Sequence, residues 1–78
     1  MEIKTKIGLR IKVLREQASM SQKDLAFTAD LDRSYIASVE RGFRNVSIVN
    51  IEKIANALNV NLKEFFNAIE FDSSSKKH

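Results

Sequence analysis

The side chains able to do chemistry are few and unevenly placed. The one histidine, His78, is the last residue, there is no cysteine, and Gly8 and Gly42 are the only glycines. Nucleophilic triads, thiolate or multi-histidine metal sites and a glycine-rich phosphate loop therefore lack their parts. No enzyme, metal, cofactor or small-molecule ligand is expected. What remains is basic, hydroxylic and amidic. Arg33, Ser34, Tyr35 and Ser38 lie close together, Arg41, Arg44, Asn45 and Ser47 follow, and Gln22 precedes them. An arginine grips guanine O6 and N7 with two parallel hydrogen bonds, and short hydroxyl and amide groups reach phosphates.

Charge placement agrees with that chemistry. The chain carries 13 Lys/Arg and 10 Asp/Glu for a net +3. Residues 1–44 hold nine basic and six acidic side chains, whereas residues 45–70 hold two and three. The folded positive charge therefore sits in the first half. A mild excess of this kind only hints at a polyanionic partner.

The elements that must position these groups read as helices. Proline is absent and glycine rare, which favours helix throughout. At 78 residues the chain is one domain near the lower limit of what folds alone. Ile7, Ile11, Leu14 and Ala18 recur on one helical face, predicting a helix over 4–18. Ser21 and Asp24 open a second over 22–29, burying Leu25 and Ala26. Asp32 is placed to cap a third over 33–41, with apolar Ile36, Ala37 and Val39, and Gly42 suits the left-handed residue that ends it. Ser47 caps a fourth over 48–58, striped by Ile48, Ile51, Ile54, Ala55 and Leu58. Asn61 caps a fifth over 62–70, with Leu62, Phe65, Phe66 and Ile69 in helical register. The folded domain spans 1–71, and the polar residues 72–78 form a tail. No apolar run approaches the roughly 7–15 residues of a signal-peptide core or the roughly 20 of a membrane span, so a cytoplasmic protein is expected.

Residues 22–41 carry the strongest pattern. Two short helices flank a tight break, small Ala26 permits a close crossing, and Ile36 and Val39 point back onto that contact. This is the pattern of a helix-turn-helix, whose second helix enters the DNA major groove N-terminus first, although a generic helical hairpin also shows it. Arg33, Ser34 and Ser38 then face base edges. Arg41, Arg44, Asn45 and Ser47 flank the groove and suit phosphates, although Ser47 also serves as a plain helix cap. Tyr35 suits either a core edge or a hydroxyl turned to a phosphate.

The stretches MSQKDLA, LDRSYIASVERGFRN and SIVNIEKIANALNVNLKEFF resemble the Cro- and phage-repressor-like helix-turn-helix family (XRE) over residues 6–70. The resemblance implies an all-α, compact five-helix lambda-repressor-like DNA-binding domain. The span LDRSYIASVERGFRNVSI is most similar to controller proteins of restriction-modification systems. That implies a homodimeric transcription regulator binding operator DNA, with Arg33 and Ser34 standing where controllers carry an Arg-Thr pair. It also implies that Gln22 touches phosphate or buttresses the recognition helix, and that Arg15 and Glu40 form a structural ion pair. Where the family usually has glycine in the turn, this chain has Asp30, which tolerates a left-handed backbone better than most residues.

The C-terminal stretch holds more aromatic surface than so small a monomer easily buries. Val49, Phe66 and Ile69 are therefore expected in a symmetric dimer interface. RNA polymerase is a further candidate partner. A phage-type repressor, another small XRE regulator, or an antitoxin bound to a toxin protein are the competing readings.

Overall fold

A computed structural model describes residues 2–72. Its helices are α1 (Ile3–Gln17), α2 (Gln22–Ala29), α3 (Arg33–Glu40), α4 (Ile48–Ala57) and α5 (Leu62–Phe65), followed by a 3-10 turn at Ile69–Phe71. The described residues contain no strand. The tail expected over 72–78 lies, apart from Asp72, outside the described residues.

Local chemistry sets most of these boundaries. At the start of α2, Ser21 Oγ accepts the Asp24 N–H, and the Asp24 carboxylate accepts the Ser21 N–H in return, each at 3.0 Å. This reciprocal cap satisfies two backbone donors that an open helix end would leave bare. The backbone hydrogen bond from Ser21 also holds the Asp24 carboxyl below its ordinary value. Ser47 and Asn61 cap α4 and α5 one way only, each side chain accepting the N–H of the residue three positions on. Asp32 stands at the N-cap position of α3, but its side chain makes no capping bond. The α2–α3 turn is made by Asp30 at φ 60°, and α3 is closed by Gly42 at φ 78°.

The core forms where the apolar faces converge. Ile7, Ile11 and Leu14 of α1 meet Leu25, Ala26 and Ala29 of α2, and Ile36 and Val39 of α3. Ile54, Ala55, Leu58 and Phe65 close it from the other side. Helix α3 packs against both α1 and α2, so its rear is fixed by two neighbours. Five residues predicted to lie on apolar stripes are exposed: Ala18, the C-cap of α1, Ile48 at 80%, Ile69 at 75%, and Leu62 and Phe66 to a lesser degree.

The fifth helix is shorter than its apolar register predicts, ending at Phe65 rather than residue 70. Arg10 of α1 caps its end. Its Nε donates to the Phe65 carbonyl at 2.7 Å and its Nη2 to the Glu64 carbonyl at 2.8 Å. Those are the acceptors a continuing helix would have used for its next turn. The guanidinium thus caps α5 and ties it to α1.

Gly8 has a packing role that the sequence did not announce. A β-carbon built there falls 2.6 Å from the Glu40 carbonyl oxygen and closer still to that of Val39. Helix α1 therefore crosses the last turn of α3 backbone to backbone. Helix propensity alone favours alanine over glycine by about 1 kcal/mol. The clash should outweigh it. Gly8→Ala is predicted to lower stability by about 2 kcal/mol in urea titration, on the scale of core overpacking, whereas a stabilised variant would contradict this crossing.

Candidate nucleic-acid interface

The rear and the front of α3 have opposite characters. Ile36, Val39 and Glu40 are buried at the rear. Arg33 and Ser34 are exposed at the front of the first turn, and Arg33 has no hydrogen bond or ion pair with any described residue. A free guanidinium at a helix N-terminus meets the positive end of the helix dipole, an unfavourable place for a cation. Among the described residues no hydrogen bond or ion pair offsets it.

Behind that free group lies a closed network. The Arg15 guanidinium meets the Glu40 carboxylate with two donors, Nε to Oε2 at 2.7 Å and Nη2 to Oε1 at 3.0 Å. Its Nη1 donates to the Met20 carbonyl at 2.8 Å. Gln22 adds a third donor to the same carboxylate, Nε2 to Oε1 at 3.0 Å. Glu40 is only 9% exposed, so these donors take the place of its lost hydration. The hydrogen bond to Glu40 also raises the proton affinity of Arg15 against the opposing effect of its burial. No buried polar side-chain atom among the described residues lacks a partner.

The remaining predicted site residues fall into distinct settings. Ser38 is half-buried, and its hydroxyl donates back to the Ser34 carbonyl at 3.0 Å. Its hydrogen is thereby engaged, leaving the oxygen to accept from an exocyclic amine. The Gln22 amide lies in the Glu40 network and keeps one N–H free of it. Tyr35 is half-buried beneath Arg44, whose guanidinium carbon lies 5.2 Å from the ring centroid. The Tyr35 hydroxyl oxygen accepts from Asn50 Nδ2 at 3.0 Å. Arg41 covers the ring of exposed Phe43 at 5.1 Å. Such cation–π pairs restrain arginines that otherwise wave in solvent. Asn45 is exposed, and Ser47 Oγ accepts the Asn50 N–H at 3.1 Å, which leaves the serine hydrogen free to donate outward.

The residues expected at a dimer interface carry exposed apolar surface. Val49 is 63% exposed and Phe66 40%, with Ile48 and Ile69 more open still. The Phe66 ring stands edge-on to both Phe65 and Phe71. It also lines an apolar groove with Ile3, Ile7, Val46 and Ile51.

Sequence reasoning missed three positions. Arg10 showed no signal, because its acceptors are backbone carbonyls more than fifty residues away. Asn50 lay inside an apolar helix pattern, where its polarity looked incidental. Phe27 is exposed on α2, and nothing in the structure explains it.

Comparison with known proteins bears on the whole arrangement. A helix-turn-helix family model matches residues 11–65. Control protein C.MunI of Mycoplasma sp is 47% identical over 70 residues, covering 88% of this chain and 95% of that protein. The crystal structure of the restriction-modification controller protein C.AhdI from Aeromonas hydrophila is 51% identical, with a TM-score of 0.78 over 81% of this chain and 96% of that one. The controller protein C.Esp1396I, solved as a tetramer in complex with its natural 35 base-pair operator, is 38% identical. Its TM-score is 0.80, over 85% of this chain and 87% of that one.

Proposed function

The chain belongs to the helix-turn-helix family, and we propose that it is a dimeric, sequence-specific transcription regulator of the restriction-modification controller type, binding an operator upstream of its own gene. The observation that carries this reading is the uncompensated Arg33 on the open face of α3, beside Ser34, on a helix whose rear is locked by Val39 and the Arg15–Glu40 pair. A cation placed against the helix dipole with no internal partner is accounted for by an external anion or base edge.

The division of labour follows from position. Arg33, Ser34 and Ser38 lie on the exposed side of α3 and read bases. Gln22, Tyr35, Arg41, Arg44, Asn45 and Ser47 surround that helix and hold phosphates, which set register without reading sequence. Controller relatives point the same way, one of them crystallised on operator DNA as a tetramer. Among the described residues no helix is long and apolar enough to cross a membrane. The proposed place of action is the cytoplasm, with RNA polymerase as a neighbour on the promoter.

Pairing is required by the energetics of reading. One recognition helix touches a few base pairs, and each wrong pair costs about 1–3 kcal/mol. Two helices set about 34 Å apart by a two-fold axis read both halves of an inverted repeat and multiply that discrimination. The exposed apolar side chains of Val49, Phe66 and Ile69 offer the surface for such an axis.

Two measurements test the reading. Arg33→Ala should reduce the preference for operator over random duplex in competitive binding by about 1–3 kcal/mol per half-site, the scale of one bidentate guanine contact in each protomer. Unchanged selectivity would remove Arg33 from the base-reading set. In sedimentation at micromolar concentration the chain should run at twice its monomer mass of 8.9 kDa. Phe66→Glu should return it to monomer, and a persistent dimer would place the interface elsewhere.

A further inference from the structure

Asn50 is given no role by the DNA-reading arrangement above, yet it is bonded at both its backbone and its side chain. Its N–H is held by the Ser47 cap at 3.1 Å, which fixes the first turn of α4. From that fixed turn its amide nitrogen reaches across to Tyr35 Oη on α3 at 3.0 Å. The opposite constraint on Tyr35 comes from Arg44, lying over the ring face. The tyrosine is thus gripped at its oxygen by one element and at its face by another.

A tyrosine hydroxyl has a single hydrogen and can both donate and accept. Asn50 donates to it, so the hydroxyl acts there as acceptor and its hydrogen remains to be donated. We propose that Asn50 is a positioning residue for DNA recognition: its amide occupies the Tyr35 oxygen as donor and directs the one hydroxyl hydrogen outward, to an acceptor on DNA. The inference rests on the DNA-binding reading and deepens it. The acceptor is an oxygen or ring nitrogen, on either a phosphate or a base edge. An acid at position 50 would reverse the polarity. A carboxylate only accepts, so it would claim the tyrosine hydrogen for itself.

A double-mutant cycle in binding tests this, read as affinity for an operator duplex and for a random duplex of equal length, with thermal unfolding recorded for each variant. Asn50→Ala should weaken operator binding about fivefold, the usual scale of one net hydrogen bond. In the Y35F background the same change should weaken it by less than about twofold, since no hydroxyl remains to be aimed. Equal losses in both backgrounds, or no loss in either, overturn the proposal. If Asn50→Ala fails to fold, Asn50→Asp is read in the same cycle, because an acid suits the first turn of a helix. A larger loss in the presence of Tyr35 than in Y35F supports the proposal. An equal loss, as added negative charge alone would give, overturns it. Loss on both duplexes identifies a phosphate acceptor and loss on the operator alone a base edge, each in keeping with the proposal. A wild-type chain that binds neither duplex overturns the DNA-binding reading and this inference with it. Operator preference that survives while the cycle shows no coupling overturns the role of Asn50 alone.

Discussion

The arrangement of this chain depends on one buried carboxylate. Glu40, at the end of α3, is withdrawn from water and needs donors in return. It obtains them from Arg15 on α1 and Gln22 on α2. Each donor belongs to a different helix, so satisfying the charge also sets how three helices meet. Breaking a buried pair typically costs about 3–5 kcal/mol because the surviving charge is left unmatched. For a domain whose whole stability is about 5–15 kcal/mol, that is a large share. Gly8 belongs to the same constraint. It lies two helical turns before Arg15 on α1, and its missing side chain lets α1 settle against the carbonyls of Val39 and Glu40. The guanidinium then reaches the carboxylate without stretching.

Once the rear of α3 is fixed, its front is fixed too. Burying Ile36, Val39 and Glu40 turns Ser34 and Ser38, four apart on the opposite face, outward, while Arg33 is exposed by its place at the start of the first turn. The two interruptions in the chain support this geometry. Asp30 takes the left-handed conformation that turns α2 into α3, and Gly42 takes the one that releases the chain from α3 toward Arg44 and Asn45. The modest net charge of +3 therefore understates the interface. Asp24 is engaged in the α2 cap and Glu40 in its network, while Arg33, Arg41 and Arg44 stay exposed around α3.

Much of this was legible in the sequence, because it rests on short-range spacing. The apolar register of Ile7, Ile11 and Leu14, the caps at Ser21, Ser47 and Asn61, and the ending at Gly42 are all local rules, and the structure follows them. The failures come from interactions between distant residues. The register of Leu62, Phe65, Phe66 and Ile69 satisfies a helix, but the chain leaves it after Phe65, where Arg10 of α1 caps the Glu64 and Phe65 carbonyls. Ile69 then falls beyond α5, exposed in the 3-10 turn. Ile48 belongs to an apolar stripe by position yet sits at the exposed first turn of α4. The link between Asn50 and Tyr35 joins residues fifteen apart on separate helices, and no periodicity encodes it. Helix-turn-helix membership was visible for the opposite reason, since Ala26, Ile36 and Val39 mark the crossing within one continuous stretch.

The central claim is that this surface reads DNA as a symmetric pair. Hydroxyl-radical footprinting of the chain on the DNA upstream of its own gene tests that most directly. Two protected patches over an inverted repeat, with centres one helical turn apart, are the predicted result. Protection of a single unpaired site, or uniform protection without regard to sequence, would contradict it.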